Sequence, residues 1–175
     1  MIDAIFKICI FGDAGSGKTT LTKRFLTNKF ISDTKTTIGV DLQVKTLNVD
    51  GLKTKLQIWD FGGEERFRFF LPRYIKGAHG GIFMYDITNS ASISHIDDWL
   101  LVINESNESL PIFLVGGKMD LDLSREVSFS AGEILADSRD LAGFIECSSK
   151  TGENIGPLFK NLCKTMIEGK ENSWK

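Results

Sequence analysis

The sequence lacks any apolar run of about 18 residues, the length a membrane-spanning helix requires. Its N-terminus lacks the basic, apolar and small-residue succession that directs secretion. Cysteine is scarce: Cys9, Cys147 and Cys163 make an odd count without metal-type spacing. Cys9 and Cys147 lie in apolar runs, where a thiol packs as a small core residue. That usage fits a reducing compartment, so the expected location is cytoplasmic. Excess charge is also missing. A formal net charge of -2 gives no overall field that attracts nucleic acid or anionic lipid. The sequence ends Glu171-Asn172-Ser173-Trp174-Lys175, with no terminal cysteine to prenylate. Either it stops short of its natural end, or no lipid anchor of that kind exists. No intrinsic membrane anchor is visible, and membrane contact would be peripheral, through partners. Internal repeats, low-complexity segments and interdomain linkers are absent. One domain over 1–175 is expected, with 168–175 a short C-terminal tail.

What is present begins with Phe6 to Thr20. An apolar strand, a Gly-rich turn and a helix start follow one another. The turn fits G-x-x-x-x-G-K-[ST] at Gly12, Gly17, Lys18 and Thr19. Glycines let backbone N–H groups approach one anion closely, and the helix N-terminus adds its positive dipole end. Gly12, Asp13, Ala14, Gly15, Ser16, Gly17, Lys18, Thr19 and Thr20 are therefore candidate phosphate-binding residues. Lys18 would give the outer phosphates a fixed cation. The Thr19 hydroxyl suits a Mg²⁺ ion that bridges phosphates.

Downstream, Lys18 to Lys29 reads as a helix and 30–39 as an exposed loop. Val40 to Val49 and Lys53 to Trp59 flank the hairpin signal Asp50-Gly51. The apolar alternation changes phase between Val44 and Leu47, which suggests a bulge or a late twist. Gly81 to Asp86, Pro111 to Val115 and Phe144 to Cys147 read as buried strands. Ser90 to Glu105 and the stripe from Ile155 to Ile167 have helical spacing. Ser130 with Glu133 reads as a capping box. Strands alternating with helices after a hairpin predict an α/β fold. Its sheet is mostly parallel, with one antiparallel edge strand and a ligand at the strands' carboxyl ends.

Further candidates fall just after predicted strands. Asp60 would hold Mg²⁺ through water, the Gly63 N–H would reach a terminal phosphate, and Thr37 offers the metal a second hydroxyl. The Asp120 carboxylate can accept two N–H groups from a guanine edge, a pair that adenine does not present. Lys118 and Ser148-Ser149-Lys150 sit beside it in the reading. The aromatics Phe67, Phe69, Phe70 and Tyr74 read equally as core packing or as a half-exposed partner surface. His79 and His95 sit in no motif.

These stretches resemble the Ras superfamily of small GTPases, and most closely its Rab branch. The resemblance runs from Phe6 to Ile167. It rests on Gly12–Thr19, Thr37-Ile38-Gly39-Val40-Asp41, Lys55–Asp60, Tyr85-Asp86-Ile87-Thr88, Lys118-x-Asp120-Leu121 and Ser148-Ser149-Lys150. It implies a P-loop NTPase fold with a six-stranded sheet and helices on both faces, binding GTP or GDP with Mg²⁺. It implies that Phe30 packs on the guanine and that Lys118 and the Ser149 N–H frame the base. Residues near 32–40 and 61–76 would be switches that meet effectors, exchange factors and GTPase-activating proteins.

Two positions depart from the family. Gly117 stands where Asn is usual, so weaker nucleotide binding is expected, and Gly117→Asn is expected to tighten GDP. Glu64 stands where Gln orients the attacking water. Its charge, when ionised, would repel the terminal phosphate, or it would act as a stronger base. Glu64, Lys18, Thr37 and Gly63 are the candidate catalytic residues. No arginine occupies the phosphate loop or first switch, so a partner would supply a catalytic one; Arg66 is the nearest candidate within the chain and reads instead as a switch-surface charge. The readings are a slow GTPase switch, a pseudo-GTPase binding module impaired at Glu64 and Gly117, and a P-loop kinase or ATPase. The Lys118-x-Asp120 base reader and the absence of an Arg-rich lid stand against the last.

Overall fold

Ala4–Phe11 forms β1, whose residues are fully apolar from Ile8 onward because both faces are covered. The computed structural model describes residues 1–32 and 35–172. Asp33 and Thr34 of the first loop, the side chains of Arg66, Phe67, Glu171 and Asn172, and the terminal Ser173, Trp174 and Lys175 lie outside the described residues.

The remaining strands are β2 (Val40–Val49), β3 (Leu52–Phe61), β4 (Gly80–Asp86), β5 (Ile112–Gly117) and β6 (Gly143–Glu146). Among the described residues they form one six-stranded sheet in the order β2-β3-β1-β4-β5-β6. Only β2 runs antiparallel to its neighbour, as the hairpin signal predicts. The turn is set by Asp50 (φ 49°) and Gly51 (φ 93°), the pair of left-handed residues that a two-residue hairpin needs.

The helices are α1 (Lys18–Thr27), α2 (Glu65–Arg68), α3 (Leu71–Ile75), α4 (Ser90–Ser94), α5 (Ile96–Asn104), α6 (Phe129–Ser138) and α7 (Ile155–Asn172). They cover both faces. Phe6, Ile8 and Ile10 of β1 pack with Leu21 and Phe25 of α1 and with Leu158, Phe159 and Leu162 of α7. Cys9 and Phe11 point the other way, toward Leu71 and Ile75 of α3, Trp99 of α5 and Ala136 of α6. Phe25 and Phe159 stack with centroids 3.7 Å apart, which locks α1 to α7.

Several expectations are corrected. The β2–β3 ladder has no bulge, since Val40 through Val49 pair in unbroken register with Phe61 through Leu52. The apolar phase shift arises instead because Lys45 occupies the inner face. Its ammonium donates to the Phe25 carbonyl and lies 4.3 Å over the Phe25 ring, while Leu42 and Val44 face outward. The cap of α6 is Ser128, which accepts from the Ala131 N–H at 3.2 Å; Ser130 is already helical. The expected helix from Ser90 to Glu105 is two, broken at His95. The last helix runs to Asn172, so 168–172 belong to α7 and not to a tail. The short helices α2 and α3 occupy a stretch to which the sequence pattern assigns no element. Among the described residues no helix is long and apolar enough to cross a membrane.

Candidate functional site

The turn after β1 is forced to be glycine at its first position. A Cβ on Gly12 (φ 130°) would stand 2.2 Å from the Met84 carbonyl oxygen, so the loop lies directly on β4. Lys18 opens α1 and is buried, and its ammonium donates to the Asp13 carbonyl at 2.7 Å. Burial pulls its pKa down to about 8, against the pull of Asp60 and Asp13. The Ser16 hydroxyl closes the same turn on the Asp13 carbonyl at 2.9 Å.

Asp13 does not face the ligand side. Its carboxylate turns outward, accepting from the Trp99 indole N–H at 3.1 Å and meeting the His95 Nδ1 at 2.5 Å. Arg68 approaches it at 3.4 Å and lies over the Trp99 ring at 4.7 Å. The sequence reading assigned His95 no role, and it missed Arg68 and Trp99 as partners of the loop.

Three oxygen groups from three segments converge beside Lys18. The Thr19 hydroxyl donates to Asp60 Oδ2 at 2.6 Å and lies 2.7 Å from the Thr37 hydroxyl. Asp60 is 1% exposed, and its Oδ1 has no hydrogen-bond partner. Burial raises its pKa to about 6, opposed by the Thr19 hydroxyl and the Lys18 charge. Two hydroxyls and a carboxylate with a spare oxygen are hard donors of the kind Mg²⁺ takes. Among the described residues no three His, Cys, Asp or Glu side chains cluster for a metal. A cation here would draw its remaining ligands from water or phosphate.

Gly63 lies against the loop. A Cβ there would fall 2.3 Å from the Ala14 nitrogen and 2.6 Å from the Lys18 ammonium, so glycine alone permits the contact. The Gly62 N–H donates to the Gly39 carbonyl at 2.8 Å, which joins the two loops over the site. Glu64 is half-buried. Phe69 is 83% exposed and Phe70 47%, whereas Tyr74 is half-buried beside Trp59 and Phe61. Tyr74 thus packs on the core while Phe69 and Phe70 are exposed, and Phe67 lies outside the described side chains.

The other end of the site is built by β5, β6 and the turns that follow. Lys118 adopts left-handed φ (64°) and donates to Asp86 Oδ2 at 2.6 Å. Burial resists ionisation of Asp86, but hydrogen bonds from Lys118 and Thr88 outweigh it and hold the carboxyl below its ordinary range. The buried Ser148 hydroxyl donates to Asp120 Oδ1 at 2.6 Å and accepts from the Thr151 N–H at 3.0 Å. Arg24 of α1 donates to the Thr151 carbonyl at 3.0 Å, tying the first helix to this turn.

A single cavity of about 520 Å³ joins the two ends. Ala14, Gly15, Gly17, Lys18, Thr19, Thr20, Phe30, Thr37, Gly63, Lys118, Asp120, Ser149 and Lys150 line it. Gly12, Asp13, Ser16, Asp60, Glu64 and Ser148 do not; the first three form or brace the turn, and Ser148 braces Asp120 from behind. Met84 lines the cavity and was not anticipated, because in sequence it reads only as part of a core strand.

A parallel sheet carrying this loop, with Lys18 buried in it and a hydroxyl–carboxylate cluster at its side, defines a P-loop nucleotide-binding protein. The Ras family matches residues 7–168. Over 167 residues the chain is 40% identical to the Ras-related protein SEC4 of Saccharomyces cerevisiae, covering 95% of this chain and 77% of that one. It is 40% identical over 166 residues to the Ras-related protein Rab-1 of Theileria parva, covering 94% and 75%. It is 40% identical over 161 residues to the Ras-related protein RIC1 of Oryza sativa, covering 91% and 79%. The chain belongs to the Ras family, on its Rab branch, and is a small GTPase.

Proposed function

We propose that this GTPase is a guanine-nucleotide switch that binds GTP or GDP with Mg²⁺ and hydrolyses GTP slowly. The observation that carries this reading is one cavity with two chemically distinct ends. Lys18 and the Thr19–Thr37–Asp60 cluster lie at one end, and Asp120 with Lys118 at the other. That spacing suits a ligand with a polyphosphate and a purine. Thr19, Thr37 and Asp60 would hold Mg²⁺, which when bound neutralises charge on the phosphate oxygens. Lys18 would leave the Asp13 carbonyl for the outer phosphates. Asp120, held by Ser148, would accept N–H groups of guanine, and Phe30 would cover the base.

The switches at 32–40 and 61–76 would order around the terminal phosphate and present Ile38, Phe69 and Phe70 to effectors, beside Leu42 of β2. Exchange factors and GTPase-activating proteins would act through the same loops. Among the described residues no arginine side chain lines the cavity, so a catalytic arginine would come from a partner. A role in membrane traffic, with peripheral membrane association through partners, comes with the Rab branch as part of this proposal.

The test is to identify the nucleotide that co-purifies and to follow its conversion with Mg²⁺ present. Guanine nucleotide and slow phosphate release are expected, with GTP outcompeting ATP. A chain that takes up neither GTP nor GDP overturns the reading. Glu64 and Gly117 favour a second reading, a pseudo-GTPase module that binds but does not turn over. Multiple-turnover phosphate release separates the two.

A further inference from the structure

Gly117 ends β5 beneath the cavity, and Met84 lies on the neighbouring strand β4. A Cβ built on Gly117 would meet the Met84 methyl at 2.4 Å, the Ser16 carbonyl oxygen at 3.1 Å and the Tyr85 carbonyl oxygen at 3.3 Å. The same methyl would be 3.3 Å from a Cβ on Gly17, the cap of α1. Met84 is only 1% exposed, and it forms part of the cavity wall. Its thioether therefore fills the corner between the phosphate loop and the base-reading loop. It does so in the volume where any side chain at 117 must begin.

We propose that Met84 is a nucleotide-contacting residue that sets affinity, and that positions 84 and 117 act as one unit in which only one can carry a side chain. The proposal rests on the guanine-nucleotide reading above. Packing explains the pairing. Met84 belongs to the core cluster that also holds Ile10, Leu21, Val115 and Cys147, and close-packed interiors have little room to take up a displaced methyl. Methionine is flexible, so a side chain at 117 would displace the methyl and not the backbone. The open direction is the cavity, where the methyl would take ligand space. At this corner the wall offers the middle of the ligand dispersion contact and no hydrogen bond. The assignment reverses the expectation from sequence that Gly117→Asn alone tightens GDP.

The experiment compares four chains: the parent, Gly117→Asn, Met84→Val and the double variant. It reads the dissociation rate of fluorescent GDP with Mg²⁺ and the thermal midpoint of the nucleotide-free chain. In the Met84 background, Gly117→Asn is expected to speed GDP release about tenfold and lower the midpoint by several degrees. In the Met84→Val background the same change is expected to slow release about tenfold and leave the midpoint level or higher. An equal effect of Gly117→Asn in both backgrounds, with GDP binding intact, overturns the Met84 assignment and leaves the switch reading standing. A parent that takes up no GDP overturns the switch reading and with it the ligand contact. The midpoints then still decide whether the two positions share one space.

Discussion

The indole N–H of Trp99 donates to the carboxylate of Asp13 at 3.1 Å, linking α5 to the phosphate loop. Trp99 is 1% exposed and stacks on Phe11, the last residue of β1. The side chain of Asp13 thus acts as an anchor while its main-chain carbonyl receives Lys18. Trp99→Phe removes one donor and leaves a cavity. It is expected to cost about 2–4 kcal/mol of stability, checked by chemical denaturation of the nucleotide-free chain. A loss under about 0.5 kcal/mol, the range of a bland surface change, would show that the anchor contributes nothing.

Asp60 is buried with one oxygen unpartnered, an arrangement that costs stability unless a cation completes it. In the parent, chelating Mg²⁺ is expected to speed GDP release at least tenfold, by the scale of charge-assisted contacts. Asp60→Ala is expected to release GDP quickly with or without chelator. A variant that keeps the parent's response to chelator would remove Asp60 from the metal site.

In the proposed switch, Glu64 would place a carboxylate where Gln would offer the phosphate an N–H donor. Glu64→Gln is expected to raise single-turnover GTP hydrolysis about tenfold, because one hydrogen bond to a charged group is worth about 1.5–3 kcal/mol. A parent faster than the variant would instead make Glu64 the base that activates water.

The Asp86–Lys118 pair carries a pH signature. The folded-state pKa of Asp86 lies below its ordinary value, so its stabilisation is present above the ordinary range and is lost as pH falls through the folded value. Asp86→Asn is expected to cost about 1–3 kcal/mol at neutral pH. The gap between parent and variant should close below pH of about 4. Thermal midpoints across that range check it, and a gap that stays constant with pH would assign the loss to packing.

The parts of the fold that sequence reveals are those written in contiguous patterns. Buried strands are apolar runs, α7 is a stripe, Asp50-Gly51 is a hairpin turn, and the phosphate loop is a spacing of glycines before a lysine. What escapes is decided between distant segments. Lys45 breaks the alternation of β2 because Phe25, on another element, gives its ammonium a carbonyl and a ring. Ser128 and not Ser130 caps α6, and two nearby serines offer sequence no means of choosing. Asp13 reads as a phosphate-loop residue, yet its carboxylate serves α5. Met84 looks like core until Gly117 is placed beside it. Helices α2 and α3 are too short to show a period.

Arg24 reaches from α1 to the Thr151 carbonyl, and Gly152 leaves it room, since a Cβ there would lie 2.3 Å from its terminal nitrogen. The segment that begins at Lys18 and the turn that carries Ser149 and Lys150 are therefore tied to each other on one side of the cavity. In the proposed switch, nucleotide would leave past the loops at Thr37 and Gly63, which the Gly62–Gly39 hydrogen bond links to each other. An exchange factor of the kind proposed would then disturb both loops by drawing on one.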